Sequence, residues 1–69
     1  MKRFLSYHVF INGQRQYEGA LTLVTVDDAG RVISEQYSRE THTTVYTEKK
    51  IYITTDSSGK LENLTFADK

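Results

Sequence analysis

The chain has 69 residues, with nine basic and nine acidic side chains, and its formal net charge is zero. This length allows one domain with one core, and the interspersed, balanced charge argues against a nucleic-acid or membrane partner held mainly by electrostatics. The absence of cysteine excludes disulfides and thiolate metal sites, and no apolar run is long enough to span a membrane. We therefore expect a single cytoplasmic domain over residues 1–69, without a cofactor.

The first predicted strand runs from Lys2 to Ile11, where β-forming residues alternate between two faces. Apolar side chains occur on both faces, as in a strand that is covered on both sides or an edge strand used in association. We interpret Tyr7, Val9 and Ile11 as an outer surface that faces a partner.

A tight turn is predicted at Asn12-Gly13, because both central positions of a type I′ turn need positive φ. The resulting hairpin register places Phe4 opposite Leu21 and His8 opposite Tyr17. A second strand then follows over residues 16–26, with Gly19 as a break within it.

The stretch from Leu23 to Tyr37 is written twice, because it returns without a gap as Tyr52 to Phe66. In each copy a β-rich run meets Asp, two small or polar residues, Gly and a basic residue. This pattern predicts a hairpin with a three-residue loop closed by a glycine at positive φ, Gly30 or Gly59.

The aspartates of these loops, Asp27 and Asp56, are predicted to accept hydrogen bonds from turn amides rather than to bind a metal. The first loop sets a register whose pairs are Val26 with Val32, Thr25 with Ile33 and Leu21 with Tyr37. From this register we predict that one face forms half of the core, made of Phe4, Phe10, Tyr17, Leu21, Leu23, Ile33 and Tyr37.

The segment from Ser34 to His42 is ambiguous between a short helix and a strand, and it runs on into residues 43–47. We favour one long strand, bent or broken near 38–41, followed by strands at Ile51–Thr55 and Leu61–Phe66. Connections this short favour antiparallel neighbours. The expected fold is all-β: an antiparallel meander of five to six strands, forming a small barrel or curved sheet and built around a duplicated hairpin.

Catalytic or metal-binding constellations are not evident, because His8 and His42 accompany no recognisable nucleophile or ligand spacing. We expect a non-enzymatic protein-interaction or self-associating structural module, since a small β domain without disulfides gains stability from a partner, and a homo-oligomer fits this. Its exposed edges could add strands from a second copy.

The alternative function is single-stranded nucleic-acid binding by a small β-barrel, which stacks bases on exposed aromatic rings beside a basic groove. The side chains available for this are Tyr7, Tyr17, Tyr37, Tyr46, Tyr52, Arg15, Arg31, Arg39, Lys49, Lys50 and Lys60. Zero net charge makes this alternative the weaker one.

Overall fold

The structure, a computed structural model, describes residues 1–37 and 45–68. Within these ranges the chain is entirely β, and no helix able to cross a bilayer occurs there. Its eight strands are β1 (Lys2–Ser6), β2 (Val9–Ile11), β3 (Gln14–Gln16), β4 (Thr22–Val26), β5 (Val32–Gln36), β6 (Val45–Tyr46), β7 (Lys50–Thr55) and β8 (Leu61–Ala67).

The strands form two four-stranded sheets. The first sheet has the order β5-β4-β1-β6 and the second has the order β3-β2-β7-β8. β1 and β2 are consecutive, separated by Tyr7 and His8, and one lies in each sheet. β1 pairs antiparallel with β4 and parallel with β6, whereas β2 pairs antiparallel with β3 and parallel with β7. The N-terminal segment therefore supplies an inner strand to both sheets.

This topology corrects the predicted fold in three respects. The described strands do not close into a barrel, because they form two separate sheets, which an antiparallel bridge between Arg31 and Lys60 connects. The described residues contain eight strands rather than five to six. The pairs β2–β3, β4–β5 and β7–β8 are sequential hairpins, but the pairs formed by β1 and the parallel pair β2–β7 are not those of a meander.

The first turn has the predicted geometry, with φ of 51° at Asn12 and 81° at Gly13, and Ile11 pairs with Gln14 across it. The register does not continue into β4, because the chain loops out over residues 17–21, where Tyr17 and Gly19 also have positive φ. Phe4 consequently pairs with Val24. The predicted pair of Phe4 with Leu21 is wrong. The predicted pair of His8 with Tyr17 agrees with the register of β2 and β3 but lies one position beyond the end of their ladder at Val9 and Gln16.

The two glycine turns make matching hydrogen bonds. Asp27 Oδ1 accepts from the backbone N–H groups of residues 29 and 31 at 3.0 and 2.9 Å, and Asp56 Oδ1 accepts from those of residues 58 and 60 at 2.9 and 3.0 Å. Gly30 and Gly59 have φ of 87° and 84°. The turn-capping role predicted for both aspartates is confirmed.

Beyond the first glycine turn, the predicted pairs of Val26 with Val32 and Thr25 with Ile33 are confirmed, and a bond from Tyr37 N to Leu21 O extends this register. Of the ambiguous segment, residues 34–36 belong to β5 and are therefore strand, whereas residues 38–42 lie outside the described residues.

The hairpins β4–β5 and β7–β8 each lie at one end of a sheet, with β1 beside β4 and β2 beside β7. Leu5 pairs with Leu23 in the first sheet, and Phe10 pairs with Tyr52 in the second. At the junction of the sheets, Val32 N donates to the carbonyl oxygen of residue 59, and Leu61 N donates to that of residue 30.

The core lies between the inner faces of the two sheets. Val9, Val24, Ile51 and Ile53 are its fully buried centre, and the half-buried side chains packed against them are Phe4, Ile11, Val32, Leu61 and Leu64. The predicted core face is wrong for most of its members. Ile33 and Tyr17 are exposed, Leu23 is buried on the opposite face of the first sheet, and Phe4 belongs to the inner face.

Candidate interaction surfaces

The three residues predicted to face a partner are separated by the structure. Tyr7 is 46% exposed and lies where β1 bends into β2. Val9 is 0% exposed at the centre of the core, so it is not part of any outer surface. Ile11 is half-buried and packs against the same core. The bend explains the error: Ser6 and Val9 are both completely buried, so the strict alternation assumed for residues 2–11 is interrupted between them.

An aromatic column, made of Arg15, Phe10 and Tyr52, lies on the outer face of the second sheet. The three residues are directly opposite one another on β3, β2 and β7. The Phe10 and Tyr52 rings stack with their centroids 5.1 Å apart and their planes 13° apart, and the Arg15 guanidinium carbon is 5.2 Å from the Phe10 centroid. Tyr52 is 40% exposed. Such stacks fix the ring planes, because each group packs on the face of its neighbour.

The column continues toward β8 with a small side chain. Thr65 is opposite Tyr52 and exposed, and its hydroxyl lies 3.5 Å from the Tyr52 carbonyl oxygen. Since Phe10 covers one face of the Tyr52 ring, the face on the β8 side adjoins the short Thr65 side chain. A planar group placed above Thr65 would extend the stack by one member.

Basic side chains accumulate on this outer face. Arg15 donates to His8 Nδ1 at 2.9 Å. Lys50 is two residues before Tyr52 on β7 and therefore on the same face. Neither Asp nor Glu occupies a paired position of this face in the described ladders, and Glu62 lies at the β-bulge that interrupts the pairing of β8. The zero net charge of the chain is therefore not evenly distributed.

A polar groove of about 470 Å³ lies between the open edges of the two sheets. Its lining combines amide and hydroxyl groups with two aliphatic side chains, from Ile11, Asn12, Gln14, Gln16, Val32, Ser34, Thr55 and Gly59. Ser34 Oγ donates to Gln16 Oε1 at 2.9 Å, which connects the edge strands β5 and β3 through side chains. Asn12 and Thr55 exchange two bonds at one end of the groove. No lining residue is charged.

The titratable groups with shifted pKa values lie at turns rather than in this groove. Bonds from the backbone N–H of Lys60 and from Ser58 lower the pKa of the Asp56 carboxyl group. The N-terminal ammonium, 2.6 Å from Asp28 Oδ1, lowers the pKa of Asp28. Among the described residues no group of Asp, Glu and His side chains has the arrangement of a metal site.

Of the two histidines considered for catalysis, the structure describes only His8. His8 is bonded to Arg15 at the edge of the aromatic column, and His42 lies outside the described residues. The sequence supplied Tyr52 as a candidate for stacking on a ligand and Arg15 as a candidate for the basic groove. It missed Phe10, whose stacking on Tyr52 depends on the parallel pairing of β2 with β7.

No protein-family model matches the chain, and no curated protein or solved structure matches it at a significant level. A function for the aromatic column or the polar groove is therefore inferred from the side chains and distances described above.

Proposed function

We propose that the protein is a small non-enzymatic protein-interaction or self-associating structural module that binds its partner through the outer face of the second sheet. The observation that supports this most strongly is the aromatic column, in which Tyr52 remains 40% exposed while stacked on Phe10. Tyrosine and arginine are the residues most often found at the energetic centres of protein interfaces. Here they are already held in one geometry, so less side-chain entropy is lost on binding.

A homo-oligomer remains part of this proposal, since a 69-residue chain buries a limited share of its unfolded surface and gains stability from association. Tyr7 is retained as a peripheral contact because it is exposed and adjoins His8, which contacts the column.

A cytoplasmic location accompanies the proposal, because a chain without cysteine gains nothing from an oxidising compartment.

The proposal also retains the duplicated hairpin as the basis of the fold. Supporting it are the matching bonds of Asp27 and Asp56, and the exchange of bonds between the two turns at the junction of the sheets. A duplication of this kind would leave similar outer faces on both sheets, and later substitution would adapt one of them for binding.

Self-association is tested first by native mass spectrometry and sedimentation velocity over a concentration series. We expect a dimer or higher multiple for the wild type and a monomer for Tyr52→Ser. Ile33→Ser is the matched control, because Ile33 is 44% exposed on the first sheet and lies outside the column. A wild type that is monomeric at every concentration would remove self-association.

A partner other than a second copy is tested with a photo-crosslinking amino acid placed at position 52 and, as a control, at position 33. We expect one defined protein to be recovered from position 52 alone. Purified wild type should compete for it, and purified Tyr52→Ser should not. Equal recovery from both positions would contradict the proposed surface.

Single-stranded nucleic-acid binding is the second candidate, favoured by one specific observation. Arg15, His8 and Lys50 lie on the same face as the column, where a base could stack on Tyr52 while Lys50 contacts a phosphate. Fluorescence anisotropy with labelled oligo-dT and oligo-dA tests it. The affinity should fall as salt rises, and Lys50→Gln should make the salt dependence shallower. Absence of binding at low salt eliminates this candidate.

A further inference from the structure

The polar groove is bordered by two strand edges that belong to different sheets. Ile51 N donates to His8 O and Asn12 N donates to Ile53 O, so the backbone groups of even-numbered residues in β2 point toward β7. The odd-numbered residues of β2 therefore bond to β3, where their partners are Gln14 and Gln16. The backbone N–H and C=O of Arg15 therefore point away from the second sheet, at its open edge.

Hydrogen bonds also show which backbone groups of β5 point away from the first sheet. The bond from Tyr37 N to Leu21 O directs the odd-numbered residues of β5 toward β4. Val32 N points the other way, to the carbonyl oxygen of residue 59. The backbone groups of Ser34 and Gln36 consequently point out of the first sheet, and no described ladder pairs with them.

The chemistry of the groove fits an extended chain. The edges of β3 and β5 are connected through the ends of the Ser34 and Gln16 side chains and by no backbone bond among the described residues. An added strand lies about 4.8 Å from each neighbour, and a peptide ligand of this kind obtains its affinity from main-chain hydrogen bonds. A volume of about 470 Å³ is within the usual range of ligand sites, about 300 to 1,000 Å³.

We propose that this groove binds an extended, uncharged peptide segment of a partner protein, which adds as a strand to the open edges of β3 and β5. The lining excludes a strongly charged ligand, because its amides and hydroxyls offer neutral donors and acceptors without a compensating charge. Ile11 and Val32 provide apolar contacts for small aliphatic side chains. The site shares only the backbone of Arg15 with the aromatic column, whose side chains lie on the outer face of the second sheet.

The test begins with selection of random heptapeptides displayed on phage against the immobilised full chain. Enriched sequences are synthesised with blocked termini, and binding is measured by fluorescence polarisation and by amide chemical-shift changes. We expect the largest shifts at residues 14–16 and 32–36. Methylation of alternate peptide nitrogens should weaken binding about tenfold for each bond lost, because it removes backbone donors and leaves the side chains.

Two substitutions of Ser34 separate backbone pairing from side-chain contact. Ser34→Pro removes the outward N–H at a position where an edge strand tolerates proline, and it should weaken the selected peptides about tenfold. Ser34→Arg fills the groove and should abolish their binding. Ile33→Arg, on the opposite face of β5, is the control and should leave the affinity unchanged.

Several results would overturn this inference. One is a selection that enriches nothing, and another is a set of peptides whose affinity survives both nitrogen methylation and Ser34→Arg. Shifts at Phe10 and Tyr52 without shifts at residues 32–36 would instead assign peptide binding to the aromatic column. Concentration-dependent shifts at 14–16 and 32–36 without peptide would identify the occupant as a second copy of the chain. Tyr52→Ser should leave groove binding intact, so failure of the proposed column and failure of this site are distinguishable.

Discussion

The outer faces of the two sheets differ in how far they expose the side chains of their inner strands. In the first sheet Leu5 and Leu23 are opposite each other and are 8% and 7% exposed. In the second sheet Phe10 and Tyr52 are opposite each other on the inner strands β2 and β7, and Tyr52 is 40% exposed. The first sheet thus buries both members of its pair, whereas the second sheet leaves Tyr52 exposed. We therefore expect the buried pair of the first sheet to contribute mainly to stability, and the exposed Tyr52 of the second sheet to contribute mainly to binding a partner.

The largest effect expected from this comparison is on the buried pair. Leu23→Ala should lower the free energy of unfolding by about 2 to 5 kcal/mol, because it removes buried methyl groups and leaves a cavity. Urea denaturation followed by circular dichroism measures this change. Ile33→Ala, on the same face but exposed, is the control and should cost less than half as much. Similar costs for both would show that Leu23 is not the anchor of this face.

A smaller effect is expected for the displayed pair. A double-mutant cycle with Phe10→Leu and Tyr52→Leu should give a coupling free energy of about 0.5 to 1.5 kcal/mol, which is the energy of an aromatic pair beyond its buried area. Thermal and urea unfolding of the four proteins provide it. A coupling of zero would mean that the rings are neighbours without mutual stabilisation, and the column would lose its fixed geometry.

The arginine of the column should contribute less again. Arg15→Gln removes the cation above the Phe10 ring, and we expect a loss of about 0.5 kcal/mol because the site is exposed. Arg15→Lys retains the charge but not the planar group that stacks. If stacking is the relevant contact, both variants should lose a similar amount in urea unfolding. Full retention by the lysine variant would assign the effect to charge alone.

The smallest effect is expected at the turns, where the two sheets do not differ. The Asp56 pKa is lowered from 3.8 by its bonds to turn amides and to Ser58, so the carboxylate stabilises the fold above that pH. This contribution is lost as the pH falls through the lower, folded-state pKa. Asp56→Asn retains an acceptor for the turn but removes the titration. Stability curves from pH 6 to pH 2, taken with about one-unit steps, should be flatter for this variant than for the wild type.

The pKa of Asp28 is lowered as well, by the hydrogen bond and charge of the N-terminal ammonium. The comparison with Asp56→Asn isolates the Asp56 contribution, since Asp28 is unchanged in both proteins. Identical pH profiles would show that Asp56 stabilises its turn only as a neutral hydrogen-bond acceptor.

Local chemistry made the hairpins predictable. Asn12-Gly13 and the two glycine turns follow from the need for positive φ, and these turns fix the registers of β2 with β3 and β4 with β5. The register prediction failed between β1 and β4, where Phe4 pairs with Val24 rather than Leu21. The two registers differ by three residues, which is an odd number, and side chains alternate between the faces of a strand. The predicted register therefore placed Phe4 on the face of Leu21 and Leu23, whereas Phe4 lies on the face of Val24.

The candidate surfaces were less predictable because they depend on distant pairings. Alternation does not indicate which strands become neighbours, so the parallel pairing of Phe10 with Tyr52, 42 residues later, could not be inferred from it. The polar groove likewise requires β3 and β5 to meet across two sheets. Tyr52 was recognised as suited to stacking and Arg15 as suited to a basic groove, whereas Val9 was placed on the surface because the bend at residues 7 and 8 was not foreseen.

The N-terminal segment has a consequence for how the chain is made. Residues 2–11 pair with β4, β6 and β7, so their last partner is not synthesised until residue 53. During translation the hairpin at residue 30 is complete while β2 still lacks a neighbour in β7. We expect the N-terminal strand to wait for its partner after leaving the ribosome, and the finished chain to fold in milliseconds to seconds, as is usual for proteins dominated by distant contacts.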